Sequence, residues 1–166
     1  MRNITYIKAA LFAVCASAGF AEMPEPGCYE RVYSAQHLKA HPEQVVSAIR
    51  MRVFDQANER LVNMEVLFAN QGHVKRAGLG EQVLTQQLFC QSSNREGGRD
   101  FCAVDCDGGA FEVVRQDADG IAIRTEYLTI GDTESGCGGA INMAEKPDQP
   151  VTYVLNHAGP KLCGGM

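Results

Sequence analysis

Six cysteines, Cys28, Cys90, Cys102, Cys106, Cys137 and Cys163, follow an apolar N-terminal segment. An even count in an exported chain points to three disulfides closed in an oxidising compartment. That framework restricts the possible folds more than any other feature. It does not name an activity.

The export signal is read from residues 1–21, MRNITYIKAALFAVCASAGFA. Arg2 and Lys8 supply a positive start, and Ala9 to Ala18 a short apolar stretch. Small residues suit cleavage after Ala18 or after Ala21. The apolar run is far shorter than the roughly 20 residues that span a bilayer, so no permanent anchor is expected. Cys15 matches lipid attachment poorly, because Val14 rather than a small residue precedes it. The short start and Ala-rich stretch point to a bacterial periplasmic or secreted protein.

Without that segment, 145 residues remain as one exported domain, 22–166. They carry 13 Lys and Arg against 20 Asp and Glu, a net charge of −7. No basic patch exists for nucleic acid or an anionic membrane. A basic protein or a cation is electrostatically easier to accept, and the expected partner is an envelope protein or a small ligand.

Patterning is mostly of period two. Tyr29–Tyr33 is rich in β-formers. Ser34 can cap a short helix over 35–40, which Pro42 stops. In Val45–Phe54, Ile49, Met51 and Val53 alternate with Arg50 and Arg52. After a turn at Gln56–Glu59, Val62, Met64, Val66 and Phe68 alternate with Asn63 and Glu65. The two runs read as a hairpin. Asn70-Gln71-Gly72 reads as a turn, and 74–81 as irregular chain. Val83–Cys90, Asp100–Asp105, Ala110–Arg115, Ile121–Ile130 and Val151–Leu155 read as further strands. Turn chemistry separates them at Asp107-Gly108-Gly109 and Asp117-Ala118-Asp119-Gly120. Residues 91–99 and 131–150 read mainly as loop. The expected fold is all-β, a small antiparallel barrel or sandwich of about 7–8 strands with one short helix. The absence of Trp argues against an immunoglobulin sandwich.

Geometry narrows the cysteine pairing. Cys102 and Cys106 lie about 13 Å apart in extended chain, too far for a bond. Cys90 and Cys102 can face each other across a hairpin. Folding about 118–119 brings Cys106 near Cys137. Cys28 then joins Cys163. The expected set is 28–163, 90–102 and 106–137.

Candidate chemistry is sparse. His37 and His41 would share one face of a helix and invite a metal, although Pro42 biases His41 away from helical geometry. Cys102-x-x-x-Cys106 lacks the spacing of a redox disulfide. The Asp105–Asp107 and Asp117–Asp119 turns offer too few oxygen ligands for calcium. The pattern G-x-S-x-G is absent around Ser135-Gly136, and nothing selects a triad among His37, His41, His73 and His157. Neither a cofactor nor a metal is expected. The loops 91–99 and 131–139 are the expected contact surfaces.

Two stretches together resemble a group of small exported bacterial proteins of unknown function. They are Cys28-Tyr29-Glu30-Arg31 with His37 to Val45, and Cys102-Ala-Val-Asp105-Cys106-Asp107-Gly108-Gly109. The resemblance covers most of the exported part and implies no activity. Size, address, acidity and architecture are also similar to periplasmic lysozyme inhibitors, whose loop motifs of Ser, Gly and a following Lys or Tyr are not evident here. The expected function is a non-catalytic binding or inhibitor-like module of the envelope. An envelope hydrolase and a metal-binding protein using His37 and His41 are the alternatives.

Overall fold

The computed structural model of the chain describes residues 23–94, 98–131, 139–146 and 149–166. The expected signal segment, Ser135, Gly136 and Cys137 lie outside them, as do parts of both expected contact loops.

The chain runs β1 (Gly27–Val32), α1 (Ala35–Ala40), β2 (Val46–Gln56), β3 (Glu59–Phe68), α2 (Gly72–Arg76), β4 (Val83–Gln91), β5 (Phe101–Ala103), β6 (Gly109–Asp117), β7 (Gly120–Ile130), β8 (Ile141–Asn142) and β9 (Val151–His157). A 3-10 turn over Pro160–Leu162 follows. Strands β1 to β7 pair in sequence, β7 pairs with β9, and β9 returns to β1. Every pairing is antiparallel, so eight strands close a barrel and β8 adds a ninth on β7. Closure decides between barrel and sandwich. It also removes the free edges that an open sheet would expose.

The alternation read in the sequence is the alternation of the wall. Ile49, Met51 and Val53 of β2, and Val62, Met64, Val66 and Phe68 of β3, are all buried. Between them Arg50 faces outward and bridges Glu30 on β1 and Glu65 on β3 at 3.2 and 2.9 Å. Tyr29, Leu88, Phe111, Ile121, Ile123 and Tyr153 come in from other strands. The core formed by these side chains is continuous and lies inside the barrel.

The hairpin between β2 and β3 has a two-residue loop, with Ala57 at φ 51° and Asn58 at φ 70°. Two positive φ angles match the twist of the flanking strands and favour Asn-Gly over Ala-Asn. Replacing Ala57-Asn58 by Asn-Gly is expected to raise the unfolding free energy by about 1 kcal/mol, read as a higher urea midpoint at unchanged slope.

Two differences from the sequence reading stand out. First, the structure has two short helices rather than one, because α2 occupies the stretch read as turn and irregular chain. Its fully buried Val74 holds it in the core, and a helix of five residues is too short for a periodic signal. Second, β5 spans only Phe101–Ala103, because Cys106 adopts φ 59° and turns the chain early.

Cys28 and Cys163 are bonded across 135 residues, and Cys90 and Cys102 across 12. Cys90 lies directly opposite Cys102 in the β4–β5 register, and both face the core. These two bonds are as expected. Cys106 is also disulfide-bonded. Its expected partner, Cys137, lies outside the described residues.

Candidate functional sites at the barrel mouth and on the outer wall

One end of the barrel gathers the chemistry that the sequence singled out. Ser34 caps α1, its hydroxyl accepting from the His37 amide at 3.1 Å. His37 and His41 then share one face, as expected. Their rings lie 4.4 Å apart, and Tyr33 stacks on His37 at 4.9 Å. Gln44 is buried; its Nε2 donates to the Val46 carbonyl and its Oε1 faces His37 Nε2, both at 2.8 Å. This amide orientation makes His37 Nε2 the donor. Gln71 Nε2 donates to the carbonyls of His41 at 2.8 Å and Gln44 at 2.5 Å. Helix α1 buries no residue fully, so these polar contacts hold it to the barrel.

Arg31, Glu43, Glu145 and Tyr153 complete the end. Alternation places Arg31 on the inward face with Tyr29. Its guanidinium lies 4.9 Å from the Tyr33 ring centre, and its Nε is buried without a hydrogen-bond partner among protein atoms. Glu43 approaches His41 Nδ1 at 3.7 Å. Burial raises the Glu145 carboxyl above the usual carboxylate range. Glu43 adds to the rise, and His41, Lys146 and His37 oppose it. Burial also raises Tyr33, against the lowering influence of Arg31. Tyr153 donates to the Met143 carbonyl at 2.7 Å, and burial lifts its phenol well above the ordinary tyrosine value.

The Tyr153 shift fixes an alkaline stability limit. The unfolded chain releases this proton near pH 10, whereas the folded chain holds it to higher pH. The contribution of Tyr153 to stability is therefore intact below about pH 10 and is lost as pH rises from there through the raised folded-state value. Tyr153→Phe is expected to flatten that fall. At neutral pH it costs about 1–2 kcal/mol through the unpaired Met143 carbonyl. Urea midpoints measured from about pH 7 to 11 check both effects.

Among the described residues no group of three His, Cys, Asp or Glu side chains is placed to hold a metal. His73 Nε2 instead meets the Asn142 carbonyl at 2.8 Å, and His157 packs against Tyr29. The Asp105 and Asp117 carboxylates accept backbone amides of their own turns. Cys102 and Cys106 are each held in a disulfide. Glu145 carried no sequence signal, because only the fold brings it beside α1, whereas Arg31 lies just before α1 and its inward direction follows from the alternation of β1.

A second feature lies on the outer wall. Ala110 pairs with Tyr127 and Glu112 with Arg124, so Thr125 and Glu126 together oppose Phe111. This is a β-bulge in β7. Thr125 and Leu128 both turn inward, which leaves Glu126 and Tyr127 both exposed. Thr125 fixes the bulge by donating to the Ala110 carbonyl at 2.7 Å. Gly109 lets β6 approach it, since a Cβ there would collide with the Tyr127 carbonyl. Beside the bulge is an open groove of about 400 Å³ between Phe101 and Tyr127. Glu112 lies in it, 2.9 Å from Arg124 and 3.6 Å from Arg99.

The fold is thus a closed antiparallel meander barrel with one cluster of buried side chains inside it. No family model, curated protein or solved structure matches the chain.

Proposed function

We propose that the protein is a non-catalytic, exported binding module of the cell envelope, inhibitor-like in that it offers its outer surface to a partner. The filled interior carries this reading. Tyr29, Met51, Met64, Phe111 and Tyr153 occupy the space in which a barrel of this size would otherwise hold a ligand. The disulfides suit an oxidising compartment. No helix among the described residues is long and apolar enough to cross a membrane.

Residues 22–166, immobilised and exposed to envelope extract, are expected to retain a specific protein whose activity falls when the two are recombined. Mass spectrometry showing nothing above background would count against the proposal. The envelope hydrolase alternative draws on the mouth, where Tyr33, His37, His41 and Glu145 stand together. Turnover of a hydrolase substrate panel that disappears with His37→Ala would favour it. The metal alternative uses His37 and His41, and zinc titration of the wild type against His41→Ala tests it.

A further inference from the structure

The bulge groove has the chemistry of a carbohydrate site, and we propose that it binds a neutral saccharide. The inference deepens the binding-module reading and rests on it.

Three observations converge. The first is the bulge. Bulges re-aim side chains, and they recur beside functional sites. Here the extra residue in β7 puts Tyr127 on the outer face, with half of its surface exposed. A tyrosine that the core does not need offers a flat apolar ring and a polar tip. The second is the opposite wall. Phe101, Glu112 and Arg124 form one cross-strand row over β5, β6 and β7. An aromatic residue therefore stands at each side, with small Ala110 between them.

The third observation is the charge balance, which selects the class of ligand. Glu112 is paired with Arg124 and Arg99, and Glu126 adds a second carboxylate. The lining thus holds Arg124 against Glu112 and Glu126, and Arg99, beside the groove on Glu112, brings the local charge to balance. An anionic or cationic ligand gains little from it. A neutral polyhydroxylated ligand can donate to the carboxylates and accept from the guanidinium groups. Its apolar ring face can cover Tyr127 or Phe101. The volume of about 400 Å³ is within the usual range for small-ligand sites, and its openness suits a chain of sugars lying along the wall.

The test is NMR titration of uniformly labelled residues 22–166 with two neutral probes, chitotriose and maltotriose. The first stands for an N-acetylhexosamine polymer of the wall and the second for a plain hexose chain. At least one probe is expected to move the amides of Phe101, Glu112, Arg124 and Tyr127 with a Kd of about 1 mM or tighter. Whichever probe moves them identifies the source. Tyr127→Ala is expected to weaken binding about tenfold, and Tyr127→Phe to keep it. Glu112→Gln is expected to weaken it, and Glu30→Gln, outside the groove, to leave it unchanged.

No shift with either probe overturns the proposal, as does binding that survives Tyr127→Ala. If Tyr127→Ala alters the dispersed spectrum of the free protein, Tyr127→Phe and Glu112→Gln decide between the outcomes. A protein retained from envelope extract with no saccharide shift sinks the saccharide site alone. Loss of both sinks the wider reading as well.

Discussion

Replacing Cys28 and Cys163 together with alanine is expected to lower the unfolding free energy by about 5 kcal/mol. The bond closes a loop across 135 residues, and loop-closure entropy for that length gives this figure. Neither strand register nor the barrel interior depends on the bond directly, because Cys28 lies on the outer face between the inward-facing positions of β1. The loss should therefore appear in the denatured state, as a larger change in exposed surface on unfolding. Urea unfolding is expected to show a lower midpoint and a steeper slope than wild type. The tail should also come away from the wall, since the bond from Arg52 to the Met166 carbonyl must then hold it without the disulfide. A double variant that unfolds within about 1 kcal/mol of wild type would mean that the barrel already restricts its own unfolded ensemble. The Cys90–Cys102 bond closes a loop across only 12 residues, and the same reasoning gives it about 3 kcal/mol.

Phe111→Ala is the second large effect, with an expected loss of about 3–5 kcal/mol. Phe111 is 1 % exposed and points inward from β6, opposite the Thr125–Glu126 bulge. Truncating it removes a ring from a filled interior and leaves a void that the closed wall cannot collapse to fill. The consequence can be tested apart from stability. Wild type should ignore benzene or xenon, whereas the variant should take up one such probe and be partly restabilised by it. Phe111→Leu should recover most of the loss. If wild type itself binds these probes inside the barrel, the interior is not filled, and the argument that function lies on the outer surface fails.

Legibility of the fold followed the range of the forces involved. Period-two patterning over 45–68 is local, and it placed β2, β3 and their turn to within three residues. The Asp117–Gly120 turn was legible for the same reason, because Asp117 bonds the amides of Asp119 and Gly120 within its own loop. Closure through β9 and β1 was not legible, since alternation looks the same in a barrel and a sandwich. Helix α2 depends on Val74 meeting the core rather than on its own five residues. At the mouth, the spacing of His37 and His41 was visible, whereas Glu145 reaches them only through the fold. The groove was hidden more deeply. The run from Thr125 to Ile130 carries no clean alternation, and nothing local says that Glu126 and Tyr127 leave the wall together. Loop 91–99, an expected contact surface, brings Arg99 to Glu112 beside the groove, while the groove's lining residues lie on paired strands.

The bond between Cys28 and Cys163 has one more effect, which concerns endurance rather than folding energy. It joins the first strand to the segment after the last, so the backbone between these residues is a covalent ring. A protease that cuts any single loop in that span opens the ring without releasing a fragment. Two cuts are needed before a piece can diffuse away, and the Cys90–Cys102 bond guards the stretch between its own ends a second time. Wherever nicking is common and resynthesis is distant, such a barrel can keep its outer surface in place after its first wound.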